Sequence, residues 1–194
     1  MTINWYWPRP LEKLLFDYAL YVGGAKDYDG DEALRRNEYE HGTWFRSWRK
    51  NDPWIPPLME LKCVNSRKSA PRPTDLFLIP RGLLLSERAR EVLAPLAGTG
   101  VDFLPVEVVE RPQLWWATGP VVPEALDLEI SRVTIMFSEL TSITQPVLFR
   151  DKTLEAGFVS LDAIRASPVL SAKIAEAIKE ADLYGLDLRP VEEV

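Results

Sequence analysis

Residues Ser86–Glu107 read SERAREVLAPLAGTGVDFLPVE, and residues Ser171–Glu192 read SAKIAEAIKEADLYGLDLRPVE, so one passage occurs twice without a gap at an offset of 85 positions (171 less 86). Ser86, Glu91, Gly100, Asp102, Pro105, Val106 and Glu107 fall on Ser171, Glu176, Gly185, Asp187, Pro190, Val191 and Glu192. The apolar positions agree where the letters differ: Ala89, Val92, Leu93 and Leu96 lie over Ile174, Ala177, Ile178 and Ala181, both at the spacing of one helix face. Each copy reads as a Ser-capped helix, a Gly that closes the turn, and a short strand.

Before the first copy, Leu76–Ile79 reads as a strand and Arg81-Gly82 as a turn into the first helix, which Pro95 cuts short. Val101–Val109 is apolar on both faces, which places it centrally in a sheet, although Pro105 favours an edge or a bulge. Gln113–Thr118 and Val147–Phe149 read as further strands. In ALDLEISRV the alternation puts Leu126, Leu128 and Ile130 on one strand face and Asp127, Glu129 and Ser131 on the other. The predicted fold class is α+β, a mostly antiparallel sheet with helices packed on one side and two similar helix–Gly–strand units.

The first seventy residues differ in character. Five of the seven Trp lie there, in WYW at Trp5–Trp7 and in TWFRSWRKNDPW with Trp44, Trp48 and Trp54. Leu11, Leu14, Leu15, Tyr18 and Val22 have helical spacing, with Gly23 and Gly24 as a stop. The Pro-containing run VNSRKSAPRPTD at 64–75 marks the boundary between this Trp-rich segment, 1–70, and the remainder, 71–194. With so few aliphatic runs, the segment is expected to pack on the same core and not to fold alone.

Composition narrows the function classes. The chain has 194 residues, 46% of them hydrophobic and 10% aromatic, which describes a folded globular protein. No apolar run approaches the ~18 residues of a membrane span, and MTINWYWPRP lacks the pattern of a secretory signal, so a cytoplasmic protein without a membrane role is expected. The single Cys63, in the apolar-flanked MELKCV, excludes an internal disulfide framework and reads as a buried structural thiol. Net charge is −6, and after residue 70 acids outnumber bases by about seven, which disfavours a nucleic-acid footprint and suits a basic protein partner.

Catalytic chemistry finds little to use. His41 and Cys63 are the only residues of their kinds, so zinc clusters, a Cys-His pair and a His-based triad are unsupported, and no cofactor motif is present. KDYDGDE at Lys26–Glu32 matches a calcium loop in composition only, because its Gly is misplaced and the twelfth-position Glu is lacking. Asp127 and Glu129 form a same-face carboxylate pair that acid–base chemistry would need, with a solvated strand face as the other reading. Trp44, Phe45, Arg46, Trp48, Arg49 and Lys50 interleave bases with aromatics; in an acidic chain that favours packing or a protein contact over single-strand binding.

In chain order, LFLIP at Leu76–Pro80, LLSERAREVL at Leu84–Leu93, DFLPV at Asp102–Val106, ALDLEIS at Ala125–Ser131, VLFR at Val147–Arg150 and YGLDLRPV at Tyr184–Val191 resemble the eleventh numbered family of bacterial polymorphic-toxin immunity proteins, long catalogued as a domain of unknown function. The resemblance covers roughly residues 70–194 and leaves out the Trp-rich segment. Where such proteins tend to end an aromatic strand in Asn, this chain has LWWATG at Leu114–Gly119. The resemblance implies an intracellular, non-enzymatic protein that binds a cognate toxin domain and covers its active cleft. Trp44, Trp48, Asp127 and Glu129 are the contact residues expected on that reading, core packing being the other role for each Trp. A hydrolase using Asp127 and Glu129, or an adaptor module, are the alternatives from other classes.

Overall fold

A computed structural model describes residues 4–10, 16–23, 54, 56, 58–63, 73–79, 82–109, 112–136, 139–149, 156–161 and 168–194. The elements, in order, are β1 (Trp5–Pro10), β2 (Phe16–Gly23), β3 (Leu58–Cys63), β4 (Leu76–Ile79), β5 (Gly82–Leu85), α1 (Glu87–Leu93), β6 (Asp102–Val108) and β7 (Leu114–Thr118). They continue as β8 (Arg132–Met136), β9 (Glu139–Gln145), β10 (Val147–Leu148), β11 (Phe158–Ser160), β12 (Pro168–Ser171), α2 (Ala172–Glu180), β13 (Leu186–Pro190) and β14 (Glu192–Glu193). The class is α+β and the pairing mostly antiparallel: a six-stranded sheet runs β2-β3-β6-β7-β5-β4 and a four-stranded sheet runs β11-β12-β1-β13.

The duplicated passage forms the same object twice. Ser86 and Ser171 are the N-caps of α1 and α2, each with its side-chain oxygen accepting from the backbone N–H three residues on, Ala89 and Ile174. Pro95 falls in the 3-10 turn Ala94–Leu96 that ends the first helix. The Gly positions Gly100 and Gly185 both have positive φ, 83° and 143°. In three dimensions the repeat reaches well beyond the matched letters. Leu85, Trp115 and Pro105 are aligned across β5, β7 and β6, and Leu170, Tyr6 and Pro190, at the equivalent positions, are aligned across β12, β1 and β13. The outer strands match too: Leu76 opposes Leu85 as Phe158 opposes Leu170. Even the short parallel pairs agree, Leu58 and Met59 on Glu107 and Val108, and Val147 and Leu148 on Glu192 and Glu193. Each unit closes alike, with Val109 N donating to Met59 O and Val194 N to Leu148 O, both at 2.9 Å.

The two units differ in where the middle strand comes from. In the first, β7 follows β6 in the chain; in the second, β1 supplies it from the N-terminal segment. Val191 N donates to Trp5 O at 3.0 Å and Ala172 N to Asn4 O at 2.8 Å, which ties β1 into the second unit at the start of α2 and just after β13. Each middle strand's inner aromatic also takes a cation from its helix, although from different helix positions: Arg90 lies 4.2 Å over the Trp115 ring and Lys179 4.8 Å over the Tyr6 ring. Arg90 also hydrogen-bonds Glu87 and so holds that carboxyl below its usual range, helped by the Trp115 indole donating at 2.5 Å. The stability this adds is present above the ordinary carboxylate pKa and fades as pH falls through the lowered folded value.

One core joins the units. Leu76, Leu83, Leu85, Leu93, Phe158, Leu170, Ile174 and Ile178 are buried together between both inner sheet faces and both helices. A second core packs outside the first sheet around Trp116, Met59, Leu84 and Val106, and a third outside the second sheet around Trp5, Trp7, Leu126, Leu148 and Val169. Between the units lies Asp75, 7% exposed, whose carboxylate accepts from Ser86 Oγ (2.9 Å), Arg88 Nη1 (3.1 Å) and Tyr184 N (3.1 Å). A buried carboxylate needs such partners, and these bind the cap of α1 to the Gly185 turn of the other unit.

Three expectations are corrected. Phe16–Gly23 is a strand and not part of a helix over Leu11–Val22, because Phe16, Tyr18, Leu20 and Val22 also satisfy a period of two and β3 offers a pairing edge; Leu11–Leu15 lie outside the described residues. Gly82 begins a strand paired with both β4 and β7, so the helix starts only after Ser86. Leu126–Ser131 is a turn, described below. The central position of β6 holds despite Pro105: its register is opposite Trp115, and on the far side its carbonyl takes the Trp54 indole N–H at 2.8 Å, where β3 does not reach. In a strand the N and C=O of one residue point to the same side, so the missing N–H costs no bond to β7.

The repeat yields an asymmetric test. A Cβ on Gly185 would lie 2.0 Å from Leu76 O, whereas one on Gly100 meets nothing nearer than Pro120 Cδ at 3.9 Å. Urea denaturation is expected to show Gly100→Ala costing about 1–2 kcal/mol, the left-handed penalty alone, and Gly185→Ala distinctly more, on the order of 3 kcal/mol or above. Equal losses at both sites would contradict the packing of β4 on the second unit.

Candidate functional site

The stretch ALDLEIS is a turn organised by one side chain. Asp127 is 7% exposed, and its Oδ1 accepts from the N–H of Glu129 (2.9 Å) and of Ile130 (3.2 Å). Asp favours this geometry because its short carboxylate reaches the amides two and three residues on. Two bonds fasten the turn to β10, Asp127 N donating to Val147 O (2.9 Å) and Val147 N to Ser131 Oγ (2.8 Å), and Ser131 N closes the turn on Asp127 O (3.0 Å). The alternation of the sequence therefore does not become a strand. Leu126 is buried, while Leu128 and Ile130, expected on its face, are each 55% exposed.

Asp127 and Glu129 are accordingly not a same-face pair. Asp127 is buried with one oxygen committed to its own loop, and Glu129 stands exposed at the tip. Trp44 and Trp48 lie outside the described residues, as do His41 and the KDYDGDE run; Cys63 ends β3, its side chain outside the described set. Of the expected contact residues, the structure thus positions Asp127 as the organiser of a turn and Glu129 as a side chain it displays.

What the sequence reading missed is apolar. Among the described residues the exposed large hydrophobics are Leu128, Ile130, Phe149 and Val194. A scattered exposed Leu carries no message, but these four share one place. The turn of Leu128 and Ile130 is bonded to Val147; Phe149 follows Leu148 and donates its N–H to Ala125 O (2.9 Å); Val194 donates to Leu148 O (2.9 Å). All four therefore hang on the two residues of β10. Glu124, Glu129 and Glu192 are exposed on the same elements, against Arg132. Exposed apolar side chains with acids on the same elements have the composition of a protein contact surface with a preference for basic partners. The signal in the sequence was Asp127 followed by Glu129, Ile130 and Ser131, an Asp-led turn whose even spacing mimics a strand.

Among the described residues no group of three His, Cys, Asp or Glu is placed to hold a metal, and no helix is long and apolar enough to cross a membrane. No family model matches this chain, and no curated protein matches it.

Substitutions at the turn separate its scaffold from its display. Asp127→Ala leaves two loop amides without their acceptor and is expected to cost about 2 kcal/mol in chemical denaturation. Glu129→Ala is expected to stay within ~0.5 kcal/mol of the parent. A large loss at Glu129 with none at Asp127 would reverse these roles.

Proposed function

We propose that this protein is a non-enzymatic, cytoplasmic immunity protein that binds and neutralises a cognate bacterial toxin domain. The resemblance of residues 70–194 to polymorphic-toxin immunity proteins supports the class. The observation that carries a binding role is the turn that Asp127 holds open so that Leu128 and Ile130, each 55% exposed, flank Glu129. A chain does not ordinarily expend a buried carboxylate on presenting two aliphatic side chains to water. On this reading the turn and Phe149 supply apolar anchors, and the acids on the same elements accelerate encounter with a basic toxin surface. Inhibition follows from occlusion of the toxin's active cleft. Trp44 and Trp48 remain candidates for the same contact.

Co-expression with the toxic C-terminal domain encoded in the adjacent reading frame tests the function. Growth should be restored and the two proteins should co-purify; persistent killing with no complex would contradict it. Within the complex, the double variant Leu128→Asp, Ile130→Asp should weaken binding by about 30-fold or more, equivalent to a 2 kcal/mol hot spot. Its urea midpoint should not move, since both side chains are exposed. Unchanged affinity would place the contact elsewhere.

A further inference from the structure

The pseudo-equivalence of the two units shows a binding position that one unit fills and the other presents. In the first unit the Trp54 indole lies 5.4 Å from the Trp116 ring, centroid to centroid, and donates its N–H to Pro105 O at 2.8 Å. Strand register assigns each partner a counterpart: Trp116 corresponds to Trp7 and Pro105 to Pro190. Counting back from the parallel pairs Leu58–Glu107 and Val147–Glu192, Trp54 corresponds to Ile143, a buried aliphatic with no donor. Ile143 packs in the core with Trp7, and beside Trp7 and Pro190 the second unit has a cavity of about 360 Å³ that both residues line.

Three features make it a seat for an indole. Because Val191 N donates to Trp5 O, the adjacent Pro190 turns its carbonyl away from β1, as Pro105 does toward Trp54. That oxygen is the acceptor which the first unit uses for an indole N–H. Arg9 and Arg189, on β1 and β13, also line the cavity, and Arg189 is held by Asp187 at 2.6 Å; planar guanidinium groups stack on aromatic faces. Gln145, Pro146 and the carboxylate-bearing Glu192 form the remaining wall, and Gln145 and Pro146 lead directly into β10, so the cavity adjoins the turn and Phe149. The volume is that of a small ligand site.

We propose that this cavity receives a tryptophan side chain presented by a protein partner, its ring against Trp7 between the arginines and its N–H on Pro190 O. The source of the indole rests on the partner-binding reading above; the chemistry of the seat does not.

The test is an NMR titration of the intact protein with N-acetyl-tryptophanamide, read at the Trp7 Nε1–H and the Arg9 and Arg189 Nε–H signals. Saturable shifts at these signals are expected, with N-acetyl-leucinamide producing none. The 1-methyl-indole analogue, lacking the donor, should bind about 3- to 10-fold more weakly. Arg189→Ala, an exposed change, should also weaken binding while leaving the remaining spectrum unaltered. No saturable shift at millimolar probe, or equal shifts from the leucine amide, overturns the seat; equal binding of the methylated analogue overturns the Pro190 bond. With the toxin domain bound, the probe should no longer shift Trp7, and if it still does, the partner is not the source. Because the first titration contains no toxin, failure of the seat and failure of the immunity reading are read separately.

Discussion

A strand–helix–strand crossover leaves its two parallel strands one strand's width apart, and the backbone groups facing that gap must find partners. This constraint governs the molecule. In the first unit β7 enters antiparallel between β5 and β6; in the second, β1 enters between β12 and β13. Both insertions take the same register, which fixes Trp115 and Tyr6 under the cations Arg90 and Lys179 and turns Trp116 and Trp7 to the outer faces. The helices then have one common place to bury Leu93, Ile174 and Ile178, and the two units share a core. The N-terminal strand is thus a structural requirement of the second repeat.

Identical scaffolds make their differences informative. The inner faces share their main buried positions, Leu76 with Phe158, Leu85 with Leu170, Ala89 with Ile174 and Leu93 with Ile178, while the outer faces diverge: Trp54 covers Trp116 in one unit, and a mixed cavity faces Trp7 in the other. Leu104 of the first unit becomes Arg189 of the second, and Thr118 becomes Arg9, so the second outer face carries two guanidinium groups that the first lacks, with Asp187 and Glu192 beside them. The capped turn at Asp127 is added beside the second unit and fastened to β10. Function, as proposed, gathers where the repeat is broken.

The unit was legible because its identities sit where the backbone is demanding: a cap at Ser86, a left-handed position at Gly100, a strand Pro at Pro105. Its full extent was not, because the offset of 85 at the helices becomes 82 at β4 and β11 (158 less 76) and 89 at β3 and β10 (147 less 58). A gap-free comparison ends at such insertions. The partnership of β1 with β13 was hidden for another reason, since strand pairing across nearly the whole chain leaves no local pattern. At Phe16–Val22 two periodicities overlapped and tertiary pairing decided between them. At the candidate contact, Asp127 and Glu129 were singled out by charge; the structure keeps the position but shifts the weight to Leu128 and Ile130, because a side-chain acceptor at Asp127 replaces the strand ladder.

On the proposed function a partner engages the outer face of the second unit, around β10. Hydrogen–deuterium exchange of the protein alone and in complex measures this directly. Exchange should slow at Leu128–Ile130 and Gln145–Phe149, with α1 and the β4–β5 hairpin unaffected. Protection confined to the first unit, with the Asp127 turn exchanging as before, would contradict it.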